Sequence, residues 1–309
     1  MQPIIAPVEK ALLRAELNAE RFVRKANFGI NEIYILNAHN SPNVLREIGR
    51  LREIAFRGAG GGTGKELDLD DFDTCEHCYE QLIVWDPEQE AIVGGYRFIK
   101  CDQSVNEKGE VELATAELFH FSPKFIQEYL PYTIELGRSF VQPEYQPSAG
   151  NRKGLFSLDN LWDGLGALVI DNPEIQHFFG KITMYPTFHA QSRDLIHYFM
   201  NHYFPDKERL VYPIESLGYK TDISAFEGMF DGLDYKEGHK ELNQFVRKNG
   251  ENIPPLVNAY MNLSLTMKNF GTAINHHFGE VEETGILVSI ADIYESKKER
   301  HVASYTPKA

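Results

Sequence analysis

The chain has 309 residues, of which 42% are apolar and 25% are charged, so it is long enough to bury a sizeable hydrophobic core. Its formal net charge is −14 and its pI is about 5.3, whereas nucleic-acid-binding domains are usually basic, so DNA or RNA is not an expected partner. No run of about 18 apolar residues occurs, which excludes a membrane-spanning helix and leaves at most peripheral contact with a membrane.

The N-terminal part of the chain is predicted to alternate helices and strands. Apolar residues at helical or strand spacing give these elements in chain order: a helix over 7–27, a strand over 32–38, a helix over 41–56, and two hairpin strands over 80–86 and 91–100. Ser41 can cap the second helix, and Pro42 suits its first turn. Between the helix over 41–56 and the first hairpin strand lies a segment, 57–73, that is rich in glycine and then in aspartate. We interpret it as a flexible lid or entry loop.

The rest of the chain continues this alternation. The predicted elements are strands over 115–123 and 133–141, a helix over 157–170, a strand over 181–188, helices over 192–204 and 253–271, and a final strand over 284–294. Residues 205–250 are charged and weakly periodic, which indicates an inserted helical segment, and 295–309 resemble a solvated tail. The order predicts a single domain, 1–309, with one mixed α/β sheet and helices on both faces.

A charged pair lies in the otherwise apolar strand 133–141. Glu135 and Arg138 are three residues apart, and such residues point to opposite faces of a regular strand. A β-bulge at Gly137 would bring both to one side, and it would expose backbone N–H groups that could hold a carbonyl oxygen as it gains negative charge. A structural ion pair at a strand edge is the alternative explanation.

A basic loop follows this strand directly. Gly150, Arg152, Lys153 and Gly154 come just before the predicted helix 157–170. Free N–H groups at a helix N-terminus, together with two cations, can bind a phosphate, and an ordinary solvated loop is the alternative. A strand, a phosphate-binding loop and then a helix form the acyl-donor site of the GNAT acyltransferases, so the segment is similar to that arrangement.

Further motifs resemble two related GNAT families. The acyl-homoserine-lactone synthases carry Arg-x3-Phe, Asp-x2-Asp, Gly-x2-Arg and Glu-x2-Arg in this order, and the N-acyltransferases of amino-acid lipids, often labelled hemolysin-like, share the pattern. The matching residues here are Arg52 with Phe56, Asp70 with Asp73, Arg97 in GGYR, and Glu135 with Arg138. The second family is more similar, because ELGRSFVQPEYQ, LWDGLGALVI and PPLVNAY also match, over roughly residues 45–295.

The resemblance implies a GNAT fold, with a mixed and mostly antiparallel sheet flanked by helices and a C-terminal helical extension. It implies an N-acyltransferase that moves a fatty acyl or 3-hydroxyacyl group from a thioester to the amine of an amino acid such as ornithine or glycine. The donor would be acyl carrier protein or acyl-coenzyme A, and no cofactor would be tightly bound. An acyl-homoserine-lactone-type signal synthase and a non-catalytic acyl-carrier-binding module are the alternatives.

Roles for individual residues also follow from the resemblance. Glu135 would be the base that takes the amine proton, and Arg138 would orient Glu135 or hold a substrate carboxylate. Asp73 completes the implied catalytic set. The implied substrate-binding residues are Arg52, Asp70 and Arg97, and the implied donor-binding residues are Gly150, Arg152, Lys153 and Gly154.

Several of these residues have plainer explanations. Phe56 suits the apolar face of a helix, and Asp70 and Asp73 could be loop caps. Glu282 and Glu283, before the final strand, could face the acceptor amine, but a cap on a turn explains them as well.

Docking of an acyl carrier protein would need a local positive patch, because both the chain and such carriers are acidic. Candidate cations lie on the second predicted helix, in the glycine-rich segment and in the basic loop: Arg46, Arg50, Arg57, Lys65, Arg152 and Lys153. A solvated helix face is the alternative.

Cysteine usage and two local motifs point away from other functions. Three cysteines and an N-terminal segment without a long apolar core favour a reducing cytoplasm. Cys75, His77 and Cys78 lie close together, but no second pair of ligands is well placed, so no metal site is predicted. The segment GAGGGTGK, 58–65, follows a helix and precedes Glu66, unlike a nucleotide-binding P-loop.

Overall fold

The computed structural model of the chain describes residues 1–146 and 153–307. Its strands are β1 (Phe22–Lys25), β2 (Glu32–Leu36), β3 (Glu80–Asp86), β4 (Ala91–Lys100), β5 (Phe119–Phe121), β6 (Thr133–Val141), β7 (His177–Met184), β8 (Val211–Pro213), β9 (Lys268–Asn275) and β10 (Val281–Ser289). Its α-helices are α1 (Lys10–Glu16), α2 (Pro42–Gly58), α3 (Asp71–Thr74), α4 (Ser157–Asp171), α5 (Ala190–Tyr203), α6 (Tyr235–Lys248), α7 (Pro255–Met261) and α8 (Glu295–His301).

The sequence predicts one domain, and the structure groups the chain into two compact units. The first contains Met1–Cys101, Ile134–Gln176 and Glu295–Ala309, and the second contains Asp102–Thr133 and His177–Tyr294. Both units combine antiparallel strands with helices, which confirms the predicted mixed α/β class.

The first unit holds an antiparallel run of strands in the order β1-β2-β3-β4-β6. Helix α4 packs on β3 so closely that a Cβ on Gly164 would lie 2.6 Å from the Leu82 side chain, which explains a glycine in mid-helix. Helix α8 packs on α4, where His301 Nδ1 lies 2.8 Å from Asp163 Oδ1. The expectation of a solvated tail over 295–309 differs from this, because His301 is buried.

The second unit has strands in the order β7-β10-β9 and a small sheet of β5 and β8. Aromatic rings fill part of its core: the Phe125 and Phe179 centroids lie 5.5 Å apart, and Phe199 and Phe230 lie 5.2 Å apart. The expected helical insertion over 205–250 contains α6, but it also contains β8.

Several boundaries differ from the sequence-based expectation. The helix predicted over 7–27 ends at Glu16, because Asn18 Oδ1 accepts the Glu20 N–H at 3.0 Å in a turn and the following residues pair with β2 as β1. The helix predicted over 253–271 stops at Met261, and its last residues instead form β9 against β10. The strand predicted over 115–123 shortens to β5. In the first two cases a long-range strand pairing overrides a local pattern, whereas β5 is short because Ala114–Glu117 form a 3-10 turn.

Candidate active site

Strand β6 carries a bulge at Arg138. The register against β4 pairs Gly137 with Arg97 and Phe140 with Gly95, so three steps on β6 match two on β4. Arg138 has a φ of 48°, a left-handed conformation that is uncommon outside glycine. The bulge expected at Gly137 therefore exists and lies one residue further on.

The bulge brings Arg138 to the same side of the sheet as Glu135. Glu135 Oε2 accepts a hydrogen bond from Tyr79 Oη at 2.5 Å, and the Arg97 guanidinium lies 5.1 Å from the centre of the Tyr79 ring. Arg97 Nη1 in turn donates to Asp70 at 2.7 Å, and Arg138 Nη2 lies 3.6 Å from Asp70 Oδ2. Glu135 and Arg138, the two residues that define the Glu-x2-Arg motif, thus lie on one face of the sheet.

Three arginines and three aspartates form a charge-balanced arginine–aspartate network on this face. Its members are Arg52, Arg97, Arg138, Asp68, Asp70 and Asp73. Arg52 joins two of the acids, since its Nε donates to Asp68 at 2.8 Å and its Nη1 and Nη2 donate to Asp73 at 3.0 and 3.2 Å. Such two-point contacts suit the planar guanidinium and fix its orientation.

The network keeps its buried acids ionised. Burial alone would raise the pKa of Asp73, but the charges of Arg52 and Arg97 outweigh it and hold the pKa below its ordinary value. Burial likewise acts to raise the pKa of Asp68, and the charges of Arg138 and Arg52 lower it overall. Both carboxylates are therefore charged at neutral pH.

Helix α3 positions two of the acids. Asp70 is its N-cap and accepts the Asp73 N–H at 3.2 Å, while Asp73 Oδ2 accepts the Asp70 N–H at 3.1 Å, which forms a capping box. The alternative explanation of these residues as caps is thus correct, and it holds together with their contacts to the arginines.

Exposure divides the network into an inner and an outer part. Arg52 and Asp73 have no accessible surface, so they can act on a substrate only through their neighbours. The side chains of Arg138 and Asp70 are 14% and 31% exposed, so an incoming molecule would meet these two first. Phe56 lies in the core, with its ring 6.5 Å from that of Phe140, as its plainer explanation requires.

Comparisons with known proteins place the chain in a family. A family model described as an acetyltransferase (GNAT) domain matches residues 51–153. A protein of Phocaeicola vulgatus named glycine N(alpha)-acyltransferase is 55% identical, over 99% of this chain and 94% of its own length. A protein of Bacteroides thetaiotaomicron with the same name is 56% identical, over 99% of this chain and 91% of its own length. The chain belongs to the family of these two proteins, the GNAT N-acyltransferases. The predicted GNAT fold and acyltransferase activity are thereby confirmed.

Two solved structures that align with the chain are acyl-homoserine lactone synthases. The AHL synthase LasI aligns with a TM-score of 0.42 and 10% identity, over 91% of this chain and 100% of that chain. The CoA-dependent acyl-homoserine lactone synthase BjaI, solved with SAM and isopentyl-CoA, aligns with a TM-score of 0.38 and 12% identity, over 86% of this chain and 85% of that chain.

The donor loop expected for a GNAT acyltransferase lies mostly outside the described residues. Gly150 and Arg152 fall there, as does the side chain of Lys153. Gly154 is buried in a 3-10 turn over Lys153–Phe156 that leads into α4. Ser157 Oγ, at the start of α4, donates to the Tyr145 carbonyl at 2.9 Å and so ties the helix to the chain that leaves β6.

Two of the six expected carrier-docking cations are engaged within the protein, while Arg46 and Lys65 are exposed. Arg50 Nε donates to Glu47 at 2.9 Å, and Arg57 Nε donates to Glu53 at 2.9 Å. Two of the expected cations are therefore neutralised by partners on their own helix, which weakens the positive field of the patch.

The glycine-rich segment differs from the flexible lid that the sequence predicts. The buried carboxylate of Glu53 accepts the Thr63 N–H at 3.0 Å and the Gly64 N–H at 2.8 Å. Asp68, near the end of the segment, is held by Arg52 inside the network. The segment is therefore fastened at two points among its described contacts.

The second unit contains a charged cluster that the sequence does not predict. Glu282 lies within β10 rather than capping a turn, and it contacts Arg193 Nε and Lys220 Nζ, both at 2.6 Å. Burial acts to raise the pKa of Glu282, but contacts with His197, Lys220 and Arg193 lower it to about 2. The neighbouring Glu283 is also in the strand and pairs with Lys181 Nζ at 2.6 Å.

Sequence reasoning missed three residues of the first unit's site: Asp68, Tyr79 and Gln81. Gln81 Nε2 donates to Asp73 at 3.0 Å, so Gln81 contacts the arginine–aspartate network, to which Asp68 belongs and which Tyr79 also contacts. A signal for two of them exists, because Tyr79 and Gln81 alternate at the start of a strand and so share a face. The signal for Asp68 is weaker, since it is one acid in an acidic run.

Proposed function

We propose that the chain transfers a fatty acyl group from a thioester to the amine of an amino acid, with glycine as the first candidate and ornithine as the second. The observation that carries this proposal is the pair of relatives named glycine N(alpha)-acyltransferase, which match 99% of the chain at 55% and 56% identity. The product, an N-acylated amino acid, would be a step in the synthesis of amino-acid lipids. A 3-hydroxyacyl donor fits the same proposal.

Glu135 is the proposed base. An amine attacks a thioester only in its neutral form, so a proton must leave the nitrogen as the C–N bond forms. Glu135 takes this proton, the C–S bond breaks, and the thiolate leaves and takes up a proton from solvent, so that free thiol is released. Support for this role comes from the position of Glu135 in the Glu-x2-Arg motif and from its place beside the arginine–aspartate network.

Arg138 is proposed to hold the carboxylate of the acceptor. Among the three arginines of the network it has the most accessible side chain, at 14%. Its planar guanidinium can bind a carboxylate at two points, and this would orient the amine at the other end of a small amino acid. Arg52, Arg97 and Asp73 would then serve mainly to hold Asp68 and Asp70, which fix Arg138.

The donor is proposed to be an acyl group on acyl carrier protein, with acyl-coenzyme A as the alternative. Both present a phosphopantetheine arm, and the loop 150–154 before α4 would bind its phosphate through N–H groups and the cations Arg152 and Lys153. Because two candidate docking cations are paired with acids, the carrier would rely on the remaining ones, which include Arg46.

The test combines purified protein with one acceptor and one donor at a time. Glycine, ornithine and homoserine-type acceptors are offered with matched acyl-carrier-protein and acyl-coenzyme A donors, and products are identified by mass spectrometry. Formation of N-acylglycine with release of free thiol supports the proposal. Formation of an acyl lactone, or of no amide with any amino acid, would overturn it.

If the carrier docks on a positive patch, its reaction should decline more steeply with salt than the coenzyme A reaction, because exposed charges are screened over about 10 Å at 0.1 M.

A further inference from the structure

Tyr79 touches the carboxylate that we propose as the base. Its hydroxyl donates to Glu135 Oε2 at 2.5 Å, across a separation of 56 residues in sequence. Tyr79 is 1% exposed and directly precedes β3, whereas Glu135 lies on β6, so β4 separates the two strands. A buried phenol placed this way has the carboxylate as a fixed acceptor.

The ring of Tyr79 is held in place by groups other than Glu135. The Phe72 ring meets it edge-on at 5.6 Å, and the Arg97 guanidinium lies 5.1 Å from its centre. The Tyr79 N–H donates to the Phe72 carbonyl at 2.7 Å. The hydroxyl is therefore directed toward Glu135 by its own packing, so the hydrogen bond is preorganised.

This packing connects the Asp-x2-Asp motif to Glu135. Asp70 and Asp73 form the capping box of α3, and α3 carries Phe72. The exposed turn after α3 is fastened by His39, whose Nε2 lies 3.1 Å from the Cys75 carbonyl oxygen, and it returns the chain to Tyr79. The motif thus supports the tyrosine as well as the arginines.

We propose that Tyr79 is a positioning residue for the proton transfer, a proposal that rests on the proposed function above. It fixes the orientation of the Glu135 carboxylate and stabilises its ionised form, which is the form that can accept a proton from the amine. The amine proton passes to Glu135, and the phenol keeps its own. The other charged groups of the network on this face of the first unit are Arg52 on α2, Arg97 on β4, Arg138 on β6, Asp70 and Asp73 at α3, and Asp68 before it.

The experiment is the pH profile of kcat/KM for wild type, Tyr79→Phe and Tyr34→Phe. Tyr34 is a matched control, because it is 6% exposed and its hydroxyl donates to the Glu32 carboxylate at 2.8 Å, away from Glu135. Loss of a hydrogen bond to a charged carboxylate should move the acid limb of the Tyr79→Phe profile to higher pH and lower kcat/KM there by about tenfold. The profile of Tyr34→Phe should superimpose on wild type.

A second variant works in the opposite direction and keeps the shape of the side chain. Site-specific 3-fluorotyrosine at position 79 makes the phenol a stronger donor, so the acid limb should move to lower pH, and this variant serves where Tyr79→Phe fails to fold. If the folded position-79 variants have the wild-type pH profile and Glu135→Gln is inactive, the role of Tyr79 is overturned and Glu135 remains the base. A Glu135→Gln variant with wild-type activity would instead remove Glu135 as base.

Discussion

Arg138 Nε lies 3.2 Å from Asp68 Oδ2, so the bulge of β6 is joined to the acidic segment before α3. Asp68 is fully buried and also accepts from Arg52 at 2.8 Å. The Asp68 carboxylate therefore links the partly exposed Arg138 to the buried Arg52. The left-handed backbone at Arg138 is what turns its side chain to this partner, and the ion pair helps to offset the strain, which is of order 1–3 kcal/mol.

The first prediction concerns acceptor binding by Arg138. Arg138→Lys keeps the charge but loses the planar fork, so KM for the amino acid should rise about tenfold or more while KM for the acyl donor changes little. Arg50→Lys, at an arginine paired with Glu47 on its own helix, is the control. Steady-state kinetics with both substrates varied measures the effect. A fall in kcat with unchanged KM would instead assign Arg138 to the orientation of Glu135.

The second prediction concerns stability. Arg52→Met keeps much of the side-chain volume but leaves the buried carboxylates of Asp68 and Asp73 without this partner, which should cost about 3–5 kcal/mol. Arg14→Met removes an exposed pair with Glu90 and should cost at most about 1 kcal/mol. Thermal and urea unfolding of the two variants make the comparison. Equal, small effects would show that Arg138 and Arg97 are sufficient partners for the carboxylates of Asp68 and Asp73.

The third prediction concerns pH and the cluster of the second unit. The pKa of Glu282 is lowered to about 2, whereas a free glutamate titrates near about 4.3. Between these values the unfolded chain binds more protons than the folded one, so the contribution of Glu282, about 3 kcal/mol at most, is complete above pH 4.3 and is lost as pH falls toward 2. Glu282→Gln should reduce the dependence of Tm on pH in this window. Glu107→Gln, at an exposed position, should leave the dependence of Tm on pH unchanged. If Glu282→Gln also leaves this dependence unchanged, the lowered pKa of Glu282 is contradicted.

The sequence predicts much of this molecule, and the exceptions share a cause. Strands β3, β4 and β6 are apolar runs bounded by turn residues, so their positions follow from local pattern. Convergence of Arg52, Asp73 and Arg97 follows from the resemblance to known motifs. Tyr79 lies in none of the matching motifs; its alternation with Gln81 indicates only a shared face, and its contact with Glu135 joins residues 56 positions apart. Strand β1 could not be predicted for a related reason. Its residues fit the end of the helix predicted over 7–27, and only their pairing with β2 shows that they form a strand.

The last prediction tests the docking of α8 on α4, which the expected solvated tail did not include. A Cβ on Gly166 would lie 2.7 Å from the His301 carbonyl carbon and would also clash with its oxygen. These are backbone atoms, which cannot turn aside as a side chain can. Gly166→Ala would gain about 1 kcal/mol in helix propensity, but displacement of α8 should more than cancel this gain and lower Tm.

The control for this prediction is Gly58→Ala at the end of α2, where an added Cβ meets nothing within 4 Å. This substitution should leave Tm unchanged or raise it, so the two glycine variants are expected to differ in sign. Hydrogen exchange of the α8 amides locates the effect, because displacement of the helix should abolish their protection in Gly166→Ala alone. A Gly166→Ala variant with raised Tm and protected α8 amides would mean that 295–307 is not docked on α4 in solution.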